Sequence, residues 1–124
     1  MARVLLVEDN AVVATVYRSS LAMAGFTVEA ASDGETALSK AAASRPDVIL
    51  LDLMLPGIDG FEVLRRIRAD PALGTVPVVV FSNSYTATRT AELWDAGATQ
   101  VIAKATMTPK ALVEVLRSVL PASP

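Results

Sequence analysis

The stretch Pro46-Asp47-Val48-Ile49-Leu50-Leu51-Asp52-Leu53-Met54-Leu55-Pro56 decides the fold. Four consecutive branched apolar residues, with no polar residue alternating among them, are how a strand reads when helices cover both faces of its sheet. Such strands belong to parallel sheets, whose crossovers carry the covering helices. Asp52 then breaks the run with a carboxylate. A charge in such surroundings is costly unless it is paired or bound to a cation, so the residue that ends the strand is also the first candidate for chemistry.

Working outward, similar short runs recur at Arg3 to Val7, Thr27 to Ala31, Val78 to Phe81 and Val101 to Ala103. All but Thr27 to Ala31 are nearly all apolar, and that mixed run suits an edge strand. Between the runs lie segments of helical period. Asn10 can cap the first helix, whose apolar positions Val13, Val16, Tyr17, Leu21 and Ala24 precede a left-handed stop at Gly25. The second is expected from about Gly34 to Ser44, with Ala37, Leu38 and Ala41 inward and Pro46 ending it. The third buries Phe61, Leu64 and Ile67 and pairs Glu62 with Arg66 on its surface. The fourth spans about Thr86 to Ala96 and stops at Gly97. The fifth opens on Thr108-Pro109, buries Leu112, Leu116 and Val119, and closes at Pro121. Five strands alternating with five helices give an α/β fold, with a parallel sheet between two helical layers.

Composition narrows the function. The 124 residues are 52% hydrophobic and 19% charged, in the range of one globular domain. With no cysteine there is no disulfide or thiolate site, which suits a reducing compartment, and cytoplasm is the expected location. Met1-Ala2-Arg3 leads straight into the first strand without a signal-peptide pattern. No apolar run reaches the roughly 18 to 20 residues of a membrane helix. Net charge is −2, and the one basic cluster, Arg65, Arg66 and Arg68, reads as a solvated helix face, so direct nucleic-acid binding is not expected. Without histidine the chain can build no Ser/His triad and carry no phosphohistidine of its own. One domain over 1–121, followed by a short tail at 122–124, is expected.

Right-handed crossovers bring the C-terminal ends of all the strands to one sheet edge, where open α/β sheets bind ligands. There the sequence places Glu8 and Asp9, Asp52, Ser82 and Lys104. If the first and third strands are neighbours, at a spacing of about 4.8 Å, Asp9 and Asp52 can share one ion. Oxygen-only ligands select Mg²⁺ or a similar hard cation over zinc. Lys104 can balance the acidic pocket, and Ser82 can hydrogen-bond a phosphoryl oxygen. A Gly-rich phosphate loop after the first strand, as a cofactor binder would need, is absent.

Taken together, Val4-Leu5-Leu6-Val7-Glu8-Asp9-Asn10, Ala31-Ser32-Asp33-Gly34-Glu35-Thr36-Ala37-Leu38 and Pro46 through Glu62 resemble the receiver domain of two-component response regulators, over nearly the whole chain. The resemblance implies a flavodoxin-like, three-layer doubly wound (βα)5 sandwich of sheet order 2-1-3-4-5, an order for which a chemotaxis member of the family is a standard illustration. It implies that Asp52 takes a phosphoryl group from a phosphohistidine on a histidine kinase or phosphotransfer protein. Asp9, Asp52 and the backbone carbonyl of Met54 would hold Mg²⁺, with Glu8 acting through bound water, while Ser82 and Lys104 would contact the phosphoryl group. Such a module assists its own phosphotransfer and dephosphorylation but is a signalling protein rather than an enzyme. An unknown downstream protein would dock on the face of the fourth helix, fifth strand and fifth helix. Two copies can also pair through the fourth and fifth helices.

Several positions depart from the family pattern. Ala105 stands where a proline, often after a cis peptide, usually follows the lysine, so a strained bond or a rebuilt loop is expected. Val101 replaces the aromatic that commonly swings inward on activation, and Asn83 replaces alanine or glycine. Met54 and Ser84 occupy two variable positions associated with phosphate lifetime. These departures motivate an alternative, a receiver-like interaction module that does not use phosphate. Trp94 has two readings, an anchor on the partner face or a member of the packed core.

Overall fold

In the computed structural model, which describes residues 2–82, 87–104 and 107–120, the run Val48–Leu51 is the central strand of a five-stranded parallel sheet. In chain order the elements are β1 (Arg3–Val7), α1 (Ala11–Met23), β2 (Thr27–Ala31), α2 (Gly34–Ser44), β3 (Val48–Leu51), α3 (Gly60–Ala69), β4 (Val78–Ser82), α4 (Ala87–Asp95), β5 (Gln100–Ala103) and α5 (Pro109–Val119). The sheet order is β2-β1-β3-β4-β5, with the mixed strand β2 at an edge.

Because side chains alternate across a strand, each apolar run supplies two cores. Val4, Leu6, Val48, Leu50, Val79 and Phe81 pack with Tyr17 and Leu21 of α1 and Leu112 and Leu116 of α5. Leu5, Val7, Ile49, Leu51, Val78 and Val80 face the other way, onto Ala37 and Ala41 of α2, Leu64 and Ile67 of α3 and Leu93 of α4. Both layers are therefore apolar without interruption through β3, whose four residues are all fully buried.

The helix ends follow local chemistry. Asn10 accepts hydrogen bonds from the Val12 and Val13 amides and caps α1, and Gly25 takes φ +100° after its end. Asp33, Asp59 and Thr108 cap α2, α3 and α5 in the same way. Arg45, squeezed between the last turn of α2 and Pro46, is left-handed at φ 47°; a residue before proline is disfavoured in the helical region, so the helix stops there.

Some expectations shift. Ser82 is the last residue of β4, and β5 begins one residue early, at Gln100. The buried stripe of α3 is Val63, Leu64 and Ile67, with Phe61 half-buried, and in α5 Val113 is buried while Val119 is half-buried. The arginine cluster divides. Arg65 and Arg66 do lie on the surface, paired with Glu62. Arg68 instead turns in and donates to the carbonyls of Gly74, Val76 and Gly97. Among the described residues, no helix is long and apolar enough to cross a membrane. Thr86, Ala105, Asn83, Ser84 and Pro121 lie outside the described residues.

Candidate functional site

Strand register builds the site. Val7 pairs with Leu51, and the Asp52 amide donates to the Val7 carbonyl, so the residues just beyond β1 and β3 meet. Ser82 pairs with Ala103, which sets Lys104 one step beyond β5. Carboxylate oxygens of Glu8, Asp9 and Asp52 all lie within 4.8 Å of one another, Glu8 and Asp52 buried and Asp9 exposed. They share a cavity of about 320 Å³ with Asn10, Met54, Ser82 and Lys104. A larger groove, about 400 Å³, runs between α1 and α5, but it gathers no comparable group of carboxylates.

Each buried carboxylate is held. Glu8 accepts from the Asn10 amide at 3.0 Å and from Lys104 Nζ. Asp52 accepts from the Met54 amide at 3.2 Å and from Lys104 Nζ at 2.9 Å. Lys104 thus bridges two acids that would otherwise repel at close range. Burial pushes the Glu8 carboxyl above its ordinary value, with the Asp52 charge adding to this and the bonds from Lys104 and Asn10 opposing it. Burial pulls the Lys104 ammonium down, but its hydrogen bonds to Glu8 and Asp52 outweigh that and leave it raised. Ionised, three carboxylates and one ammonium carry a net −2, a charge that a divalent cation neutralises.

The donor set suits such a cation. It is all oxygen, clustered at the mouth of the sheet, and mixes one exposed acid with two buried ones, so that water can complete a hydrated ion's shell. Met54 lines the cavity, its side chain pointing largely to solvent at 60% exposure. Ser82 is buried at the cavity wall.

Four of the sequence candidates, Glu8, Asp9, Asp52 and Lys104, are brought together directly, and Ser82 and Met54 border them. Trp94 and Val101 stand apart. Trp94 is 47% exposed, which removes the packed-core reading, and Val101 is half-buried against the α2, α3 and α4 core. Two further residues shape the site, Gly60 and Phe81. A Cβ on Gly60 would lie 2.3 Å from the Asp52 carbonyl oxygen and 2.7 Å from Leu53 Cα, so only glycine lets the start of α3 sit against the backbone of Asp52. The Asp59-Gly60 pair ahead of an apolar helix was the available signal. Phe81, one residue before Ser82, lies beneath Lys104, with Nζ 4.8 Å from its ring centroid.

Residues 4–117 match the model of the response regulator receiver domain. The chain belongs to that family. The response regulator MprA of Mycobacterium ulcerans is 38% identical over 114 residues, 92% of this chain and 47% of MprA. The chain spans less than half the length of the curated relatives it matches, such as MprA. Among solved structures, the chemotaxis protein CheY4 of Vibrio cholerae superposes with a TM-score of 0.90 at 32% identity, covering 97% of this chain and 99% of that one. The BeF3-activated N-terminal receiver domain of RstA from Klebsiella pneumoniae gives 0.88 at 29% identity, with 97% and 99% covered. The chain is thus a receiver domain of the two-component type with a CheY-like fold, a signalling module.

Proposed function

We propose that this receiver domain accepts a phosphoryl group on Asp52 from the phosphohistidine of a histidine kinase or phosphotransfer protein, in a Mg²⁺-dependent reaction. The observation that carries the reading is the convergence of Glu8, Asp9 and Asp52 around one point, with Lys104 bonded to the two buried acids. In the transfer, a carboxylate oxygen of Asp52 forms a bond to phosphorus, the phosphorus–nitrogen bond to the donor histidine breaks, and the electron pair leaves with the imidazole nitrogen. Phosphoryl transfer asks the protein mostly for positioning and charge neutralisation.

The chain's own residues divide that work. Asp9, Asp52 and the Met54 carbonyl are the metal ligands in this reading, and Glu8 acts through water. Bound there, Mg²⁺ supplies positive charge to the transferring oxygens. Lys104, already at hydrogen-bond distance from Asp52, exchanges part of that contact for a phosphoryl oxygen, and Ser82 donates its hydroxyl to another. The RstA receiver domain was solved in a BeF3-activated form, which supports the reading. Val101 and the exposed Trp94 are assigned to the surface that reports occupancy to a downstream protein or a second copy.

Titration with Mg²⁺ and beryllofluoride, followed by fluorescence of Trp94, tests the reading. Wild type should respond saturably only when both are present, and Asp52→Asn should not respond. An equal response in Asp52→Asn would reject it.

A further inference from the structure

The ammonium of Lys104 has a third neighbour besides Glu8 and Asp52. Its Nζ stands 4.8 Å from the centroid of the Phe81 ring, within the range of a cation–π contact. Phe81 is fully buried, and Tyr17 of α1 meets it edge to face, centroids 5.3 Å apart and planes at 88°. The Tyr17 hydroxyl in turn donates to the carbonyl of Met107 at 3.3 Å, across 90 residues of sequence. Met107 lies just after Lys104, and its amide donates to the Lys104 carbonyl at 3.3 Å. Lys104 and Met107 are therefore bonded to each other through their backbones, and Met107 is pinned to α1.

Both ends of Lys104 are thus tied to one aromatic pair, the ammonium through Phe81 and the backbone through Tyr17 and Met107. Leucine at either position would fill the same core. It would neither face a cation with a ring nor reach a carbonyl with a hydroxyl. We propose that Tyr17 and Phe81 are positioning residues for Lys104, holding its ammonium over the Glu8–Asp52 pair in a chain that has alanine rather than proline after the lysine. The catalytic consequence rests on the phosphoacceptor reading above; the placement of Lys104 does not.

Two measurements on Tyr17→Phe and Phe81→Leu test this separately. The first is NMR of the lysine ε-methylenes without phosphodonor. Lys104 should be shifted upfield by the Phe81 ring relative to Lys40 and Lys110, the shift lost in Phe81→Leu and reduced in Tyr17→Phe. Lys104 signals in Tyr17→Phe that coincide with wild type would overturn the proposal, whether or not Asp52 accepts phosphate. The second is the rate of phosphorylation by a small phosphoramidate donor with Mg²⁺. Tyr17→Phe should slow it roughly two- to tenfold, the range of one uncharged hydrogen bond, and should add nothing in a Lys104→Met background, because the effect passes through Lys104. The same slowing in both backgrounds would show that Tyr17 acts on the fold alone. If wild type takes no phosphate, the proposed function fails and the NMR result alone decides the positioning.

Discussion

Replacing Lys104 with methionine keeps most of the side chain's volume and deletes the ammonium between two buried acids. The side chains of Glu8 and Asp52 are 1% and 5% exposed, and Lys104 is 18% exposed. Removing one partner of a fully buried ion pair costs about 3 to 5 kcal/mol. Here Lys104 keeps some contact with solvent and the cavity opens on the Asp9 side, which reduces this to roughly 2 to 3 kcal/mol at neutral pH. For a domain of this size that is a drop in melting midpoint of about 6 to 12 °C. The loss also depends on pH. Burial already raises the Glu8 carboxyl, and the variant removes the strongest influence holding it down. A folded state with a raised carboxyl binds its proton more tightly than the unfolded chain. The stability this confers is present below the ordinary value of 4.5 and lost as pH rises through the folded value. The deficit of Lys104→Met against wild type should therefore be small below the ordinary carboxylate value and grow as pH rises towards neutral. Mg²⁺ should restore part of it, and more in the variant than in wild type, by binding only the folded form. Calorimetry of both proteins across pH, with and without Mg²⁺, measures all three effects. A deficit that does not change with pH, or equal protection of both proteins by Mg²⁺, would show that Lys104 does not offset the charge of the two buried acids.

Other substitutions probe the frame around the site. Gly60→Ala drives a methyl into the Asp52 carbonyl and should cost roughly 1 to 3 kcal/mol in urea unfolding, with weaker Mg²⁺ binding because Asp52 moves with the backbone. Arg68→Ala leaves the carbonyls of Gly74, Val76 and Gly97 without their shared donor and should cost about 1 to 3 kcal/mol by the same assay, with Arg68→Lys recovering part. The partly exposed Glu62 carboxyl, held down to about 2 by hydrogen bonds from Arg65 and Arg66, should titrate there by NMR. Because its folded value is lowered, the stability it adds is present above 4.5 and lost as pH falls towards 2. A Glu62 midpoint near the ordinary carboxylate range would show the paired geometry to be absent in solution.

The strands were legible because a buried parallel strand leaves a continuous apolar run, and Val48–Leu51 is buried throughout. Asp52 was legible as the exception to that run. What local sequence could not supply was which strands adjoin. The meeting of Glu8 with Asp52 depends on β1 pairing with β3, which came from the family resemblance rather than from any residue in either strand. Arg68 shows the same limit: its spacing matches Arg65 and Arg66, but its three carbonyl partners lie in loops that only the folded chain brings near. Tyr17 and Phe81 were readable as apolar positions, and they are buried. The cation and the carbonyl they face belong to Lys104 and Met107, both beyond the end of β5. Trp94 illustrates the reverse case, since α4 buries its neighbour Leu93 and the next side chain round the helix turns outward.

Asp52 is the proposed phosphoacceptor. Intact-protein mass spectrometry after incubation with a small phosphodonor, with and without Mg²⁺, tests it most directly. Wild type should gain one phosphoryl group, dependent on Mg²⁺, and Asp52→Asn none. Undiminished labelling of Asp52→Asn, or no labelling of wild type by small donors and by phosphorylated histidine kinases alike, would contradict it.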